Sequence, residues 1–191
     1  VEGFEKLVAI KKILPNLPQD SNLVNLFIDE AKLAAMLTHQ NIVQIYDLGS
    51  MEGAYFIAME YIQGKDLRVV SNKSKEKGLP LPLEYALYIT SRICSGLDYS
   101  HNLNDFQGNS LKLIHRDISP QNILVTYEGE VKIVDFGIAK AARKTADTRE
   151  GLIKGKVAYM SPEQAAGKTI DHRSDIFSAG ILLYEMITGV R

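Results

Sequence analysis

Apolar residues change their period several times along this sequence, and each change marks an element. Lys6-Leu7-Val8-Ala9-Ile10-Lys11-Lys12-Ile13 is a β-branched run closed by Pro15 and Pro18, and it predicts a strand. Leu23, Leu26, Phe27, Ala34 and Leu37 then fall at helical spacing. They predict a helix from about Ser21 to Leu37, with Ser21 or Asn22 as its cap. Glu30 lies on that apolar stripe, between Phe27 and Ala34. A carboxylate aimed at a core is costly unless a cation sits beside it. Asn41 to Leu48 and Ala54 to Glu60 read as strands, with Gly49 and Gly53 marking the turn between them.

Gly64 breaks the chain again. Leu83 to His101 is a long helix with Tyr85, Ala86, Ile89, Ile93 and Leu97 on one face, followed by a polar loop from Asn102 to Ser110. Ile123 to Val125 and Val131 to Val134 are short strands around a Glu128-Gly129 turn. Ala139 to Lys156 is polar and basic without a period, so it is expected to be a long loop. Ser174 to Thr188 is an apolar helix with Asp175 in its first turn. Strands with one helix come first and mostly helices follow. That order predicts two unlike lobes with a hinge near Glu60 to Gly64. It is not a regular βαβ alternation, and no G-x-G-x-x-G is present, which disfavours a dinucleotide-binding fold.

Composition narrows the picture further. With 191 residues and 46% hydrophobic content the chain can form one folded domain, and disorder throughout is excluded. The net charge of -1 gives no basic excess for nucleic acid. No apolar run reaches the length of a membrane span. Cys94 is the only cysteine, so no internal disulfide can form and a reducing, cytoplasmic setting is expected, with Cys94 as a buried bystander. Val1-Glu2-Gly3-Phe4 has neither an initiator Met nor a signal-peptide pattern, so we expect a piece of a longer protein.

The chemistry lies in four short motifs. Val8-Ala9-Ile10-Lys11 ends a strand on a cation. His115-Arg116-Asp117 is followed by Asn122, five residues beyond the aspartate. Asp135-Phe136-Gly137 follows a β-branched strand, and Ser161-Pro162-Glu163 comes later. Each alone is weak; all four in this order are strong. On them the sequence resembles the eukaryotic-type protein kinases over its whole length. Phe136-Gly137-Ile138-Ala139-Lys140 and Tyr159-Met160-Ser161-Pro162-Glu163-Gln164 resemble the bacterial branch. The resemblance implies an α+β, two-lobe fold. Residues 1–62 would form a partial, β-rich N-lobe and 63–191 a partial, helical C-lobe. The glycine-rich loop before the lysine strand and the family's last helices are absent, so this stretch alone is expected to bind ATP weakly and turn over little.

The resemblance also implies ATP and Mg²⁺ as cofactors and a protein with a Ser/Thr acceptor as partner. Lys11 would hold the α- and β-phosphates with Glu30 as its partner, which agrees with a carboxylate on an apolar helix face. Asn122 and Asp135 are hard oxygen donors suited to Mg²⁺. Asp117 would orient the substrate hydroxyl and take its proton. Ala9 and Leu124 would sandwich the adenine, Glu60 and Ile62 would offer it backbone groups, and Met59 would line the pocket behind. Asp175 would anchor the catalytic-loop backbone, His115 and Phe136 would pack in the core, and Pro120 would stiffen the loop. Arg116 would meet a phosphorylated Thr145 or Thr148 in the activation-type loop, if either is modified.

Two positions depart from the family. Ser119 stands where Ser/Thr kinases usually carry lysine, and Lys156 where they carry threonine. An exchange of roles would let Lys156 supply the charge beside the transferred phosphate and Ser119 the bridging hydroxyl; a solvated Lys156 and a weakened site is the alternative. Glu163 is expected to lack the arginine partner it has in the family. The catalytic loop lacks the arginine-bearing pattern of tyrosine kinases, which favours Ser/Thr. A pseudokinase or regulatory scaffold is the second hypothesis. A small-molecule kinase is the third, and the segment from Asp135 to Glu163 argues against it.

Overall fold

The computed structural model describes residues 3, 5–12, 21–51, 54–136 and 157–190, without the side chains of Ser21, Asn22, Leu23, Leu26 and Glu30. Gly53, Gly137, Thr145, Thr148 and Lys156 lie outside the described residues, as does the predicted loop at 139–156.

The first sheet contains β1 (Val8–Lys12), β2 (Ile45–Met51) and β3 (Ala54–Glu60) in the antiparallel order β1-β3-β2. Ala9 lies opposite Met59 and Lys11 opposite Ile57. Period-two alternation turns Ala9 and Lys11 inward and leaves Val8 and Ile10 exposed. Lys11 therefore sits on a half-exposed edge strand, not at the end of a buried one. Helix α1 (Ser21–Ala35) packs Phe27 and Ala31 with Ile57 in a small core. It stops two residues before the predicted Leu37. There the N–H groups of Met36 and Leu37 turn to the carbonyls of Leu33 and Ala34, a tighter i→i−3 closure.

The second sheet is antiparallel, in the order β4 (Gly64–Asp66), β5 (Ile123–Thr126), β6 (Val131–Ile133). Gly64 is a strand residue and not a break. A Cβ there would lie 2.2 Å from the Val125 carbonyl oxygen, so only glycine lets the backbones approach. Helix α2 (Leu67–Glu76) follows at once, capped by Asp66 accepting from Val69 N at 2.9 Å. Helix α3 (Leu83–His101) buries Ala86, Ile89, Ile93 and Leu97 between β6 and the last helix. Each of the Ile and Leu side chains contributes about 1.5–3 kcal/mol by leaving water. Cys94 is half-buried on α3, not buried. A 3₁₀ turn (Pro120–Asn122) precedes β5. A single turn of helix, α4 (Pro162–Ala165), precedes α5 (Arg173–Thr188). Among the described residues no helix is long and apolar enough to cross a membrane.

The predicted strand at Asn41 begins only at Ile45, because residues 41–43 pair with the other sheet, while Gln44 O already accepts from Glu60 N of β3. Asn41 O accepts from Ile133 N at 2.8 Å, Ile133 O from Val43 N at 2.9 Å, and Asn41 Nδ2 donates to Val131 O at 2.9 Å. Gly96 on α3 makes room for this strap: a Cβ there would meet Ile133 Cδ1 at 2.9 Å and Asn41 O at 3.2 Å.

Candidate active site

The loop from His115 to Asn122 is fixed by apolar anchors and by one buried carboxylate. Ile118 and Pro120 are buried in the core side of the loop. Asp175, in the first turn of α5 and 1% exposed, accepts from His115 N and Arg116 N at 2.8 Å each, and its Oδ2 lies 2.8 Å from His101 Nε2. Arg116 takes a left-handed backbone, φ 66°, which costs a non-glycine residue about 1–2 kcal/mol. Asp175 helps to hold it there.

His115 is fully buried, with its ring 4.5 Å from Phe136. Its Nδ1 accepts from Asp117 N at 3.2 Å and its Nε2 donates to Val134 O at 3.1 Å. The neutral Nε2–H tautomer meets both needs, whereas an imidazolium would turn a second donor toward the Asp117 N–H. Burial pushes the His115 pKa down, against the pull of Asp175. The expected packing roles of His115 and Phe136 agree with this.

Two pairs of polar side chains lie on either side of β5 and β6. Asn122 Nδ2 donates to Asp117 Oδ2 and to Asp117 O, both at 2.8 Å. Lys11 Nζ meets Asp135 Oδ1 at 2.9 Å. The backbone joins the pairs, since Val134 N donates to Asn122 O at 3.0 Å. Asp135 has φ 57°, so the strand turns sharply at the residue that bears the carboxylate. With its Nδ2 committed to Asp117, the Asn122 amide turns Oδ1 away as a hard oxygen donor. Asp135 and that oxygen suit Mg²⁺, which is held by one or two protein groups plus phosphates and water. Ser119 is 1% exposed, and its Oγ has no hydrogen-bond partner among the described residues.

Lys11, Met59, Asp135 and Phe136 line one cavity with Leu37 and Ile57. Ala9 and Leu124 are half-buried on different sheets and are not among the residues that line it. Glu30 lies in α1, but its side chain is outside the described residues, as is Lys156. The Glu60 carboxylate, expected to contribute only backbone, is held by Lys132 Nζ at 2.9 Å and by Gln44 N at 3.2 Å. Lys132 is buried on β6, so this pair links the two sheets beside the strap. No spacing rule connects positions so far apart, and the sequence offered no signal for it.

Glu163 is not without a partner: it accepts from Ser174 Oγ at 2.6 Å, which holds its carboxyl below the usual range. Ser174 Oγ also accepts from Ser161 Oγ at 3.0 Å. Ser161 caps α4 in a capping box with Gln164, and Gln164 reaches Arg116 O. The S-P-E-Q spelling is the sequence signature of such a box, though it was read only as a family motif. Beside this network, Tyr159 is wedged between Arg68 and Glu185. Burial and then the Glu185 carboxylate push its phenol up to about 12.

The protein kinase domain family model matches residues 2–191. The tyrosine-protein kinase MasK of Myxococcus xanthus (strain DK1622) is 47% identical over 100% of this chain and 29% of its own length. The serine/threonine-protein kinase PrkC of Bacillus subtilis (strain 168) is 38% identical over 97% of this chain and 27% of its own length. The chain thus spans between a quarter and a third of these curated relatives. The crystal structure of the Mycobacterium tuberculosis PknI kinase domain superposes with a TM-score of 0.71 at 27% identity, over 99% of this chain and 66% of that one. Its α+β architecture of a β-sheet lobe and a helical lobe is the one described above. The chain belongs to the protein kinase family, and its relatives are bacterial kinases.

Proposed function

We propose that this chain carries the catalytic site of a serine/threonine protein kinase, with the lobes divided at residues 62 and 63. The observation that carries the proposal is the placement of Asp117, held by Asn122 at 2.8 Å, on the same backbone ladder as the Lys11–Asp135 pair. Asp117 orients the acceptor hydroxyl and takes its proton as the oxygen bonds to the γ-phosphorus and the bond to the bridging oxygen of ADP breaks. Lys11 leaves Asp135 in part to meet the phosphates, with Glu30 as its second carboxylate partner. Mg²⁺ held by Asp135 and Asn122 supplies charge that neutralises the phosphate oxygens. The adenine lies between Ala9 and Leu124, with Met59 behind it and the backbone of Glu60 and Ile62 at its edge. Since Glu60 N is taken by Gln44 O at 2.8 Å, it is the Glu60 carbonyl that faces the base. Such a domain works in the cytoplasm, where ATP and Mg²⁺ are plentiful.

The Ser119 hydroxyl, without a hydrogen-bond partner among the described residues, supports the exchange in which Ser119 bridges and Lys156 brings the charge. Nothing in the site favours a non-catalytic scaffold, because Lys11, Asp117, Asn122 and Asp135 are present and engaged. Two observations favour a second acceptor, tyrosine: Ser119 replaces the Ser/Thr-type lysine, and the 47% identical relative is named a tyrosine-protein kinase. Labelled-phosphate transfer by the full-length protein to a generic protein substrate, followed by phosphoamino-acid analysis, tests both. We expect phosphoserine and phosphothreonine. Phosphotyrosine alone would replace the acceptor assignment, and no transfer at all would overturn the kinase proposal.

A further inference from the structure

Arg116, just before Asp117, is held at both of its flanking peptide groups. Arg116 N donates to Asp175 Oδ1 at 2.8 Å, and Arg116 O accepts from Gln164 Nε2 at 3.1 Å. Arg116 holds its left-handed φ of 66° between these two bonds. The same Gln164 amide accepts from Ser161 N at 3.1 Å through Oε1. Ser161 N can only donate and Arg116 O can only accept, so a single orientation of the amide satisfies both. Ser161 is itself tied to Ser174 and Glu163. Gln164 is therefore a side-chain link from the Ser161-Pro162-Glu163 segment to the catalytic loop.

We infer that Gln164 is a positioning residue for Asp117. Without its donor, the carbonyl side of the Arg116–Asp117 peptide is released, and that peptide can tilt about its remaining bond, from Asp117 N to His115 Nδ1, and so turn the Asp117 carboxylate. Asp175 would then hold Arg116 from its N–H side without the opposing bond to its carbonyl. The inference rests on Asp117 being the base of the proposed phosphoryl transfer. It goes beyond that reading by adding a residue that touches neither ATP nor substrate, and by tying the geometry of the base to the Ser161–Glu163 segment.

Gln164→Glu separates the two halves of the link. A carboxylate still accepts from Ser161 N and is a usual partner in a capping box. It has no donor for Arg116 O. In the full-length protein, with Mg·ATP and a generic protein substrate, we expect kcat to fall about ten- to a hundredfold while KM for ATP stays within about twofold, the signature of a misaimed base. The thermal midpoint should not move. Gln164→Ala removes both bonds and should show the same loss of kcat with a lower midpoint, so the comparison does not depend on one variant folding. A merely structural role would lower the amount of folded enzyme and leave kcat per folded molecule unchanged. Wild-type kcat in the folded fraction of both variants would overturn the inference. Asp117→Asn run alongside tells the two failures apart. If it is inactive while Gln164→Glu is fully active, only the role of Gln164 falls. If Asp117→Asn still transfers phosphate, the base assignment falls and takes Gln164 with it.

Discussion

Each sheet has three strands, yet the cores behind them differ greatly. Among the described residues, the first sheet shelters Phe27, Ala31 and Ile57 as buried core. The second shares a continuous core with α3 and α5 that runs from Leu37 to Met186. The base of the proposed chemistry, Asp117, sits on the heavily packed side and is held through Asp175 and Asn122. The cation, Lys11, sits on a half-exposed edge strand of the lightly packed side. The lesson is a division of labour: one side fixes the groups proposed to react, and the other carries the cation proposed to bind nucleotide, joined through a few links. Those links are the 41–44 strap, the Glu60–Lys132 pair and the Lys11–Asp135 pair.

The division can be broken first in the cores. Leu97 is fully buried on α3, so Leu97→Ala should cost about 3–5 kcal/mol and melt the domain early. Ile57→Ala, in the small core with more room to relax, should cost about 2 kcal/mol. Chemical denaturation of both variants checks the ratio, and equal costs would deny the asymmetry. Next comes the strap. Gly96→Ala pushes a methyl against Ile133 and Asn41 O and should cost about 1–3 kcal/mol. Hydrogen exchange at Val43 N and Ile133 N should accelerate in that variant, since those bonds join the sheets.

A smaller effect is expected at the bridge beside the strap. Glu60→Gln leaves Lys132 buried without its carboxylate and should cost about 1–2 kcal/mol. Lys132→Met leaves a half-exposed carboxylate that water can reach, and should cost less than about 1 kcal/mol. Urea denaturation of the two variants measures that inequality. The last is a pH effect. The folded His115 pKa lies below its unfolded value, so the unfolded state binds the proton more readily. Stability from this group is complete above the ordinary histidine value of about 6.5 and is lost as pH falls below it. His39 is shifted down by burial and contributes with the same sign. The test is therefore the difference between wild type and His115→Asn, whose amide can both accept and donate without titrating. A shallower acid slope in the variant is expected.

The sequence made the long elements legible because their apolar period is strong. α3 lies at Leu83–His101 as expected, and α5 and β3 lie within a residue of their predicted bounds. The four motifs carry Lys11, Asp117, Asn122 and Asp135, which the structure joins in two hydrogen-bonded pairs. What escaped was set by contacts between distant parts of the chain. α2 is polar with only Leu67 buried, so it has no stripe to read. Gly64 and Asn41 took their roles from Val125 and Ile133 on other strands. The Ser174 partner of Glu163 and the Arg116 contact of Gln164 likewise exist only once α4 and α5 meet the catalytic loop.

The central claim is that Asp117 performs the chemistry on the packed lobe while Lys11 binds nucleotide from the other. The most direct measurement compares Mg·ATP binding and single-turnover phosphate transfer in full-length wild type, Asp117→Asn and Lys11→Met. The account predicts that Asp117→Asn binds nucleotide nearly as wild type does but transfers phosphate about 10²–10⁴-fold more slowly. Lys11→Met should lose affinity. Asp117→Asn transferring at the wild-type rate, or losing nucleotide binding as Lys11→Met does, would contradict it.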